Sequence, residues 1–162
     1  MFRSLNLRRL SVLGLALLLT LATVSPAVAK NDRPFKGQAT GTWDNIFNGL
    51  FNPPANFAGV GPVTHMGLTT QQGTAILGPP IAEGVFPGFG SVTITAANGD
   101  QLTLNYEGLL NAATGEGIGV VTFTGGTGRF ANATGGGTYY AIIDLSLPNQ
   151  PMTLSVDGRI NY

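Results

Sequence analysis

From Phe35 onward the chain alternates apolar and polar residues with a period of two, the signature of half-buried strands rather than helices. Phe35 to Asp44 places Gly37, Ala39, Gly41 and Trp43 on one face and Lys36, Gln38, Thr40, Thr42 and Asp44 on the other. Ser91 to Ala97 sets Val92, Ile94 and Ala96 against Thr93 and Thr95, and Gln101 to Glu107 sets Leu102, Leu104 and Tyr106 against Gln101, Thr103, Asn105 and Glu107. Between them lies Asn98-Gly99-Asp100, which supplies positive φ at low cost and predicts a hairpin. Further strands are predicted over Gly117–Thr124, Thr138–Leu147 and Met152–Tyr162, with weaker ones around Gly59–Thr69 and Gly73–Leu77. Pro148 and Pro151 end the Thr138–Leu147 strand, because proline donates nothing to a ladder. Two Pro/Gly-rich stretches, Asn45–Asn56 and Gly78–Gly90, read as longer loops.

Some eight short strands joined by turns predict an all-β domain, a single antiparallel closed barrel. Closure removes sheet edges, which matters in a chain with few charges to guard them. A barrel of eight strands holds its own side chains or one small ligand.

Ahead of the strands the pattern changes. Arg3, Arg8 and Arg9 precede a predominantly apolar run from Leu10 to Val24, followed by Pro26 and Ala27-Val28-Ala29. That is the layout of a secretory signal cleaved after Ala29. The run of 15 residues is shorter than the ~20 that span a bilayer. The expected organisation is therefore a signal peptide over 1–29, a short polar tail over 30–36 and a β-barrel over 37–162, with a secreted or periplasmic location. The whole chain of 162 residues has zero net charge. Beyond Ala29, five basic and eight acidic residues leave −3. Past Lys36 only Arg129 and Arg159 remain as cations, so nucleic-acid binding has no electrostatic footprint. Cysteine is absent, which excludes disulfides, thiolate metal sites and a cysteine nucleophile.

The most distinctive run is Gly125-Gly126-Thr127-Gly128-Arg129-Phe130-Ala131-Asn132-Ala133-Thr134-Gly135. It is neither GxGxxG nor a P-loop, and no helix follows to aim a dipole at a phosphate. Its glycines suit a sharp turn, with Phe130 and Ala133 tucked back to plug one barrel end. Asn132-Ala133-Thr134 is also a glycosylation sequon, relevant only in a eukaryotic secretory setting. The run resembles a segment of plant dirigent proteins and of allene oxide cyclase-type barrels, and bacterial secreted proteins of unassigned role carry similar segments. Val63-Thr64-His65-Met66-Gly67-Leu68 resembles a Thr-His-Leu-Gly stretch of those bacterial proteins, with Met66 in place of leucine. Gly99-Asp100-Gln101-Leu102 and Tyr106-x-Gly108 fit the same pattern. The resemblance spans most of 36–162 and implies an eight-stranded antiparallel barrel, often trimeric in the plant families. It carries no catalytic residue onto this chain.

Candidate chemistry is sparse. His65 is the single histidine, too few for a histidine-rich metal site, and its simplest use is a local hydrogen bond. Glu107 and Glu116 bracket a hairpin and could form an acid/base pair, but alternation points Glu107 outward. Asp157 and Arg159 share a face, with Asp144 expected opposite, the makings of a surface cluster worth ~1 kcal/mol or less. Trp43, Tyr106, Tyr139 and Tyr140 could line an apolar cavity or fill the core. The expected ligand-binding candidates are His65, Glu107 and Arg129, with no catalytic residue, metal or cofactor. The reading favoured is an exported module that binds a small apolar or phenolic ligand, or a partner, with homo-oligomers implied by the resemblance and no membrane contact after signal removal. A cyclase- or dirigent-like enzyme using the cavity is the alternative, and it requires His65, Glu107 or Arg129 to reach that cavity. A small outer-membrane barrel is the third reading; it requires an outward apolar band on every strand.

Overall fold

The structure is a computed structural model that describes residues 32–50 and 54–162. The expected signal peptide over 1–29 lies outside the described residues. Eight strands follow in order: β1 (Arg33–Trp43), β2 (Ala55–Val63), β3 (Gly67–Leu77), β4 (Val85–Ala96), β5 (Gln101–Asn111), β6 (Glu116–Gly126), β7 (Thr134–Ile143) and β8 (Pro151–Asn161). Each pairs antiparallel with its sequence neighbours, and β8 pairs with β1 from Arg33↔Ile160 to Thr42↔Pro151, closing the barrel. Short 3-10 turns occur at Ile46–Gly49 and Gly128–Phe130.

The β4–β5 hairpin forms as its alternation dictates, with Gly99 at φ 87° in the turn. Elsewhere the boundaries differ from the sequence expectation for physical reasons. β2 and β3 break at Thr64–Met66, where His65 (φ 67°) and Gly67 (φ 73°) adopt left-handed backbone. β3 was hard to read because its inward positions include Thr69 and Gln71, both polar and both buried. β4 starts at Val85, inside the expected loop, and its inward Gly88 and Gly90 hide the apolar phase. β7 runs over Gly135–Gly137, which pair with β8, and stops before Asp144, whose carboxylate accepts from the Ser146 N–H and hydroxyl. Arg33 to Lys36, expected in a tail, belong to β1 and form part of the closing seam.

Inward side chains form two clusters stacked along the barrel axis. One, around Phe35, Leu102, Phe123, Phe130 and Ile160, fills the end plugged by the glycine-rich turn. Phe130 and Ala133 are both buried there, as the sequence suggested. The other, around Trp43, Phe57, Ala75, Leu77 and Met152, lies under the 3-10 turn that begins at Ile46. Tyr106 packs against both.

Candidate functional site: an apolar cavity inside the barrel

Two tyrosines divide the interior. Tyr106 of β5 and Tyr139 of β7 meet edge to face, ring centres 5.6 Å apart. Glycines on neighbouring strands let these rings lie along the wall instead of standing into the centre. A Cβ at Gly90 would sit 2.9 Å from the Tyr106 ring, and one at Gly119 would sit 2.7 Å from the Tyr139 ring. Both are closer than a real side chain tolerates, so glycine is what makes room. With the rings laid aside, the interior keeps a cavity of about 80 Å³, space open to the centre of a water-sized sphere. Trp43, Phe57, Leu77, Tyr106, Tyr139 and Ala141 contribute to its wall.

The wall is almost wholly apolar, and no lining residue is charged. Its polar groups are mostly committed elsewhere. The Tyr106 hydroxyl donates to the Thr74 carbonyl at 2.9 Å, and Gln71 Nε2 donates to the Gln38 carbonyl at 3.2 Å and to Thr69 Oγ1 at 3.4 Å. Trp43 Nε1 donates to Met152 Sδ at 2.8 Å. Burial raises both tyrosine pKa values, because phenolate loses its hydration there; Tyr139 is pushed up to about 12. Over the mouth, Ile46 reaches the cavity, and its N–H donates to Gln150 Oε1 at 2.6 Å. Phe47 and Phe86 meet edge-on beside it, 5.8 Å between centres.

His65, Glu107 and Arg129 do not line this cavity. His65 is exposed on the β2–β3 turn, with Nε2 3.0 Å from the Pro34 carbonyl oxygen. Glu107 points outward from β5, and the register sets it between Phe89 and Val120. Arg129 makes an ion pair with Asp100 at 3.4 Å and covers the Phe130 ring. The structure places these three on turns and on the outer surface rather than on the cavity wall. Glu116 sits four register positions from Glu107 and accepts from the Tyr140 and Thr114 hydroxyls. Tyr140 accordingly faces out, whereas Trp43, Tyr106 and Tyr139 join Phe57 on the cavity wall. Asp157 pairs with Lys36 at 2.9 Å and Arg159 with Asp32, both at the surface; Asp144 joins neither pair. Among the described residues, no cluster of three or more His, Asp or Glu side chains is arranged for a metal. Gln71 is the site residue that sequence reasoning missed. Its signal was the register, since two steps from Thr69 and two from Gly73 put it on the inner face.

The outer surface is uneven. Pro87, Leu109, Ile118 and Tyr140 form one cross-strand row over β4–β7, with Phe89 and Val120 in the next row beside Glu107. Outward positions on β1 and β8 are instead mostly polar, including Gln38, Thr40, Thr153 and Ser155, while β3 is mixed, with Gln72 beside Leu68. An apolar belt around every strand, which an outer-membrane barrel requires, is thus not what this surface carries.

No protein-family model and no curated protein sequence matches the chain. Among solved structures, it is similar to a pterocarpan synthase dirigent protein, at 13% identity and a TM-score of 0.48, over 81% of this chain and 86% of that one. The eight-strand closure described above stands on the register of this chain alone.

Proposed function

We propose that the protein is an exported binding module that takes one small apolar ligand into the barrel cavity. The observation that carries this reading is a space inside the barrel with an uncharged, apolar wall that includes four aromatic residues, the usual character of small-molecule sites. No carboxylate, imidazole or cation is among the residues lining it, and burial raises the pKa of both lining phenols, so no group there is poised to exchange a proton near neutral pH, and holding a ligand is the favoured role. Its size sets the scale. A dry cavity of ~150 Å³ takes up benzene; at about 80 Å³ this one suits something smaller. The N-terminal pattern supports export, with a mature chain beginning at Lys30.

Ligand-detected NMR with small apolar probes such as propane tests the binding. Saturable binding to the wild type, lost in an Ala141→Leu variant that fills the space, is the expected result. Failure of every such probe to bind the folded wild type would sink the reading. The apolar row on β4–β7 supports association of identical copies through that face. Light scattering should then give a mass above one chain for the wild type and a monomer for Ile118→Lys; a monomeric wild type rejects it.

A further inference from the structure

Among the described residues lining the cavity, the side-chain donors of Trp43, Gln71 and Tyr106 are all engaged in the wall, whereas the Tyr139 hydroxyl has no hydrogen-bond partner. The ring is held in place: it lies over Gly119 and Gly108, and a Cβ at Gly108 would come within 2.5 Å of the hydroxyl oxygen. Tyr139 is partly buried, and a donor with no partner in the wall gains a hydrogen bond when an occupant brings an acceptor. Resting on the cavity reading above, we propose that the ligand is a small neutral carbonyl compound and that Tyr139 is the specificity-determining residue that donates to its oxygen.

Three features select that class. The wall has no cation, so a carboxylate or phosphate would be buried without a counter-charge, which is prohibitive. The free group on Tyr139 is a donor, so the complementary atom is an acceptor. A carbonyl accepts without bringing an O–H or N–H of its own that would need a partner in an apolar wall. The raised pKa of Tyr139 keeps the phenol protonated, and therefore a donor, at neutral pH.

Acetone and propane share a three-carbon skeleton and differ by one carbonyl. Because the ketone is better hydrated in water, the informative quantity is the ratio of their two Kd values, compared between the wild type and Tyr139→Phe. The variant should weaken the ketone by about fivefold and leave the alkane unchanged, the size expected for one net hydrogen bond. Unchanged alkane binding also shows that the variant folds with its cavity intact. Tyr106→Phe is the control: its hydroxyl is already spent on Thr74, so the ratio should stay at the wild-type value. A ratio unmoved by Tyr139→Phe, or moved equally by Tyr106→Phe, overturns the assignment while leaving cavity binding standing. Absence of binding by both probes overturns the cavity reading and this one together.

Discussion

The barrel end plugged by Phe130 and the end beneath Ile46 are built from the same inward alternation, yet one is filled and the other keeps a cavity. At the filled end, Phe35 and Phe123 stand edge-on across the middle, ring centres 4.7 Å apart, with Phe130 and Tyr162 packed beside them at 4.8 Å. Toward the other end, Ala39, Ala55, Ala75 and Ala141 occupy inward positions, and the tyrosine rings lie along the wall over glycines. Alanines set among large neighbours such as Trp43 and Phe57, together with rings laid along the wall, leave the space open at that end. The division makes sense of the unusual content of 24 glycines. Some serve turns, and others let an aromatic ring lie flat so that the centre stays open.

Substitutions should separate the two ends. The largest effect is expected from Phe130→Ala, which opens a void at the close-packed end and should cost about 3–5 kcal/mol in denaturant unfolding. A cost below 1 kcal/mol would show that this end is not tightly packed. Gly119→Ala should cost about 1–3 kcal/mol, because its methyl meets both the Tyr139 ring and the facing strand. Alkaline pH offers a probe without mutation. Tyr106 and Tyr139 have folded pKa values above the ordinary value of 10.0, so the stability tied to their neutral forms is complete below pH 10. It is lost as pH rises from there through the folded value of about 12 for Tyr139. Absorbance titration should show two tyrosines ionising late and stability falling in that window; four tyrosines titrating together near pH 10 in the folded protein would contradict the buried placement. At the hollow end, Ala141→Val should change stability by less than about 1 kcal/mol, since the added carbons enter existing space. A penalty as large as that of Phe130→Ala would erase the distinction between the ends. Smallest of all, Lys36→Ala should cost about 0–1 kcal/mol, because its pair with Asp157 is solvent-exposed.

The β4–β5 hairpin was legible because alternation on both strands and an Asn-Gly turn agreed. β3 was not, because Thr69 and Gln71 put polar side chains on its inward face, where they are satisfied by the Gly61 and Gln38 carbonyls. No local pattern reveals that, since the acceptors belong to other strands. The aromatic content of the site was visible in Trp43, Tyr106 and Tyr139, but the freedom of the Tyr139 hydroxyl was not. It depends on glycines at 108 and 119, which meet Tyr139 only after β5, β6 and β7 are in register. His65, Glu107 and Arg129 drew notice as isolated polar residues, and the fold leaves such residues where charge is cheapest, at turns and on the outside.

The closing seam has a consequence for how the chain reaches this state. Every other neighbouring strand pair is a hairpin between consecutive segments, whereas β1 and β8 join positions as far apart as Arg33 and Ile160. Hairpins form in ~1–10 μs, but a contact spanning nearly the whole domain must wait for the rest of the sheet. Until it forms, the curled sheet has two open edges, each a template for pairing with another chain. Those edges carry Arg33, Lys36, Asp157 and Arg159, more charge than any other pair of adjacent strands. Charges whose ion pairs contribute little to the finished barrel thus stand on both edges of its open form, where charge disfavours pairing with another chain.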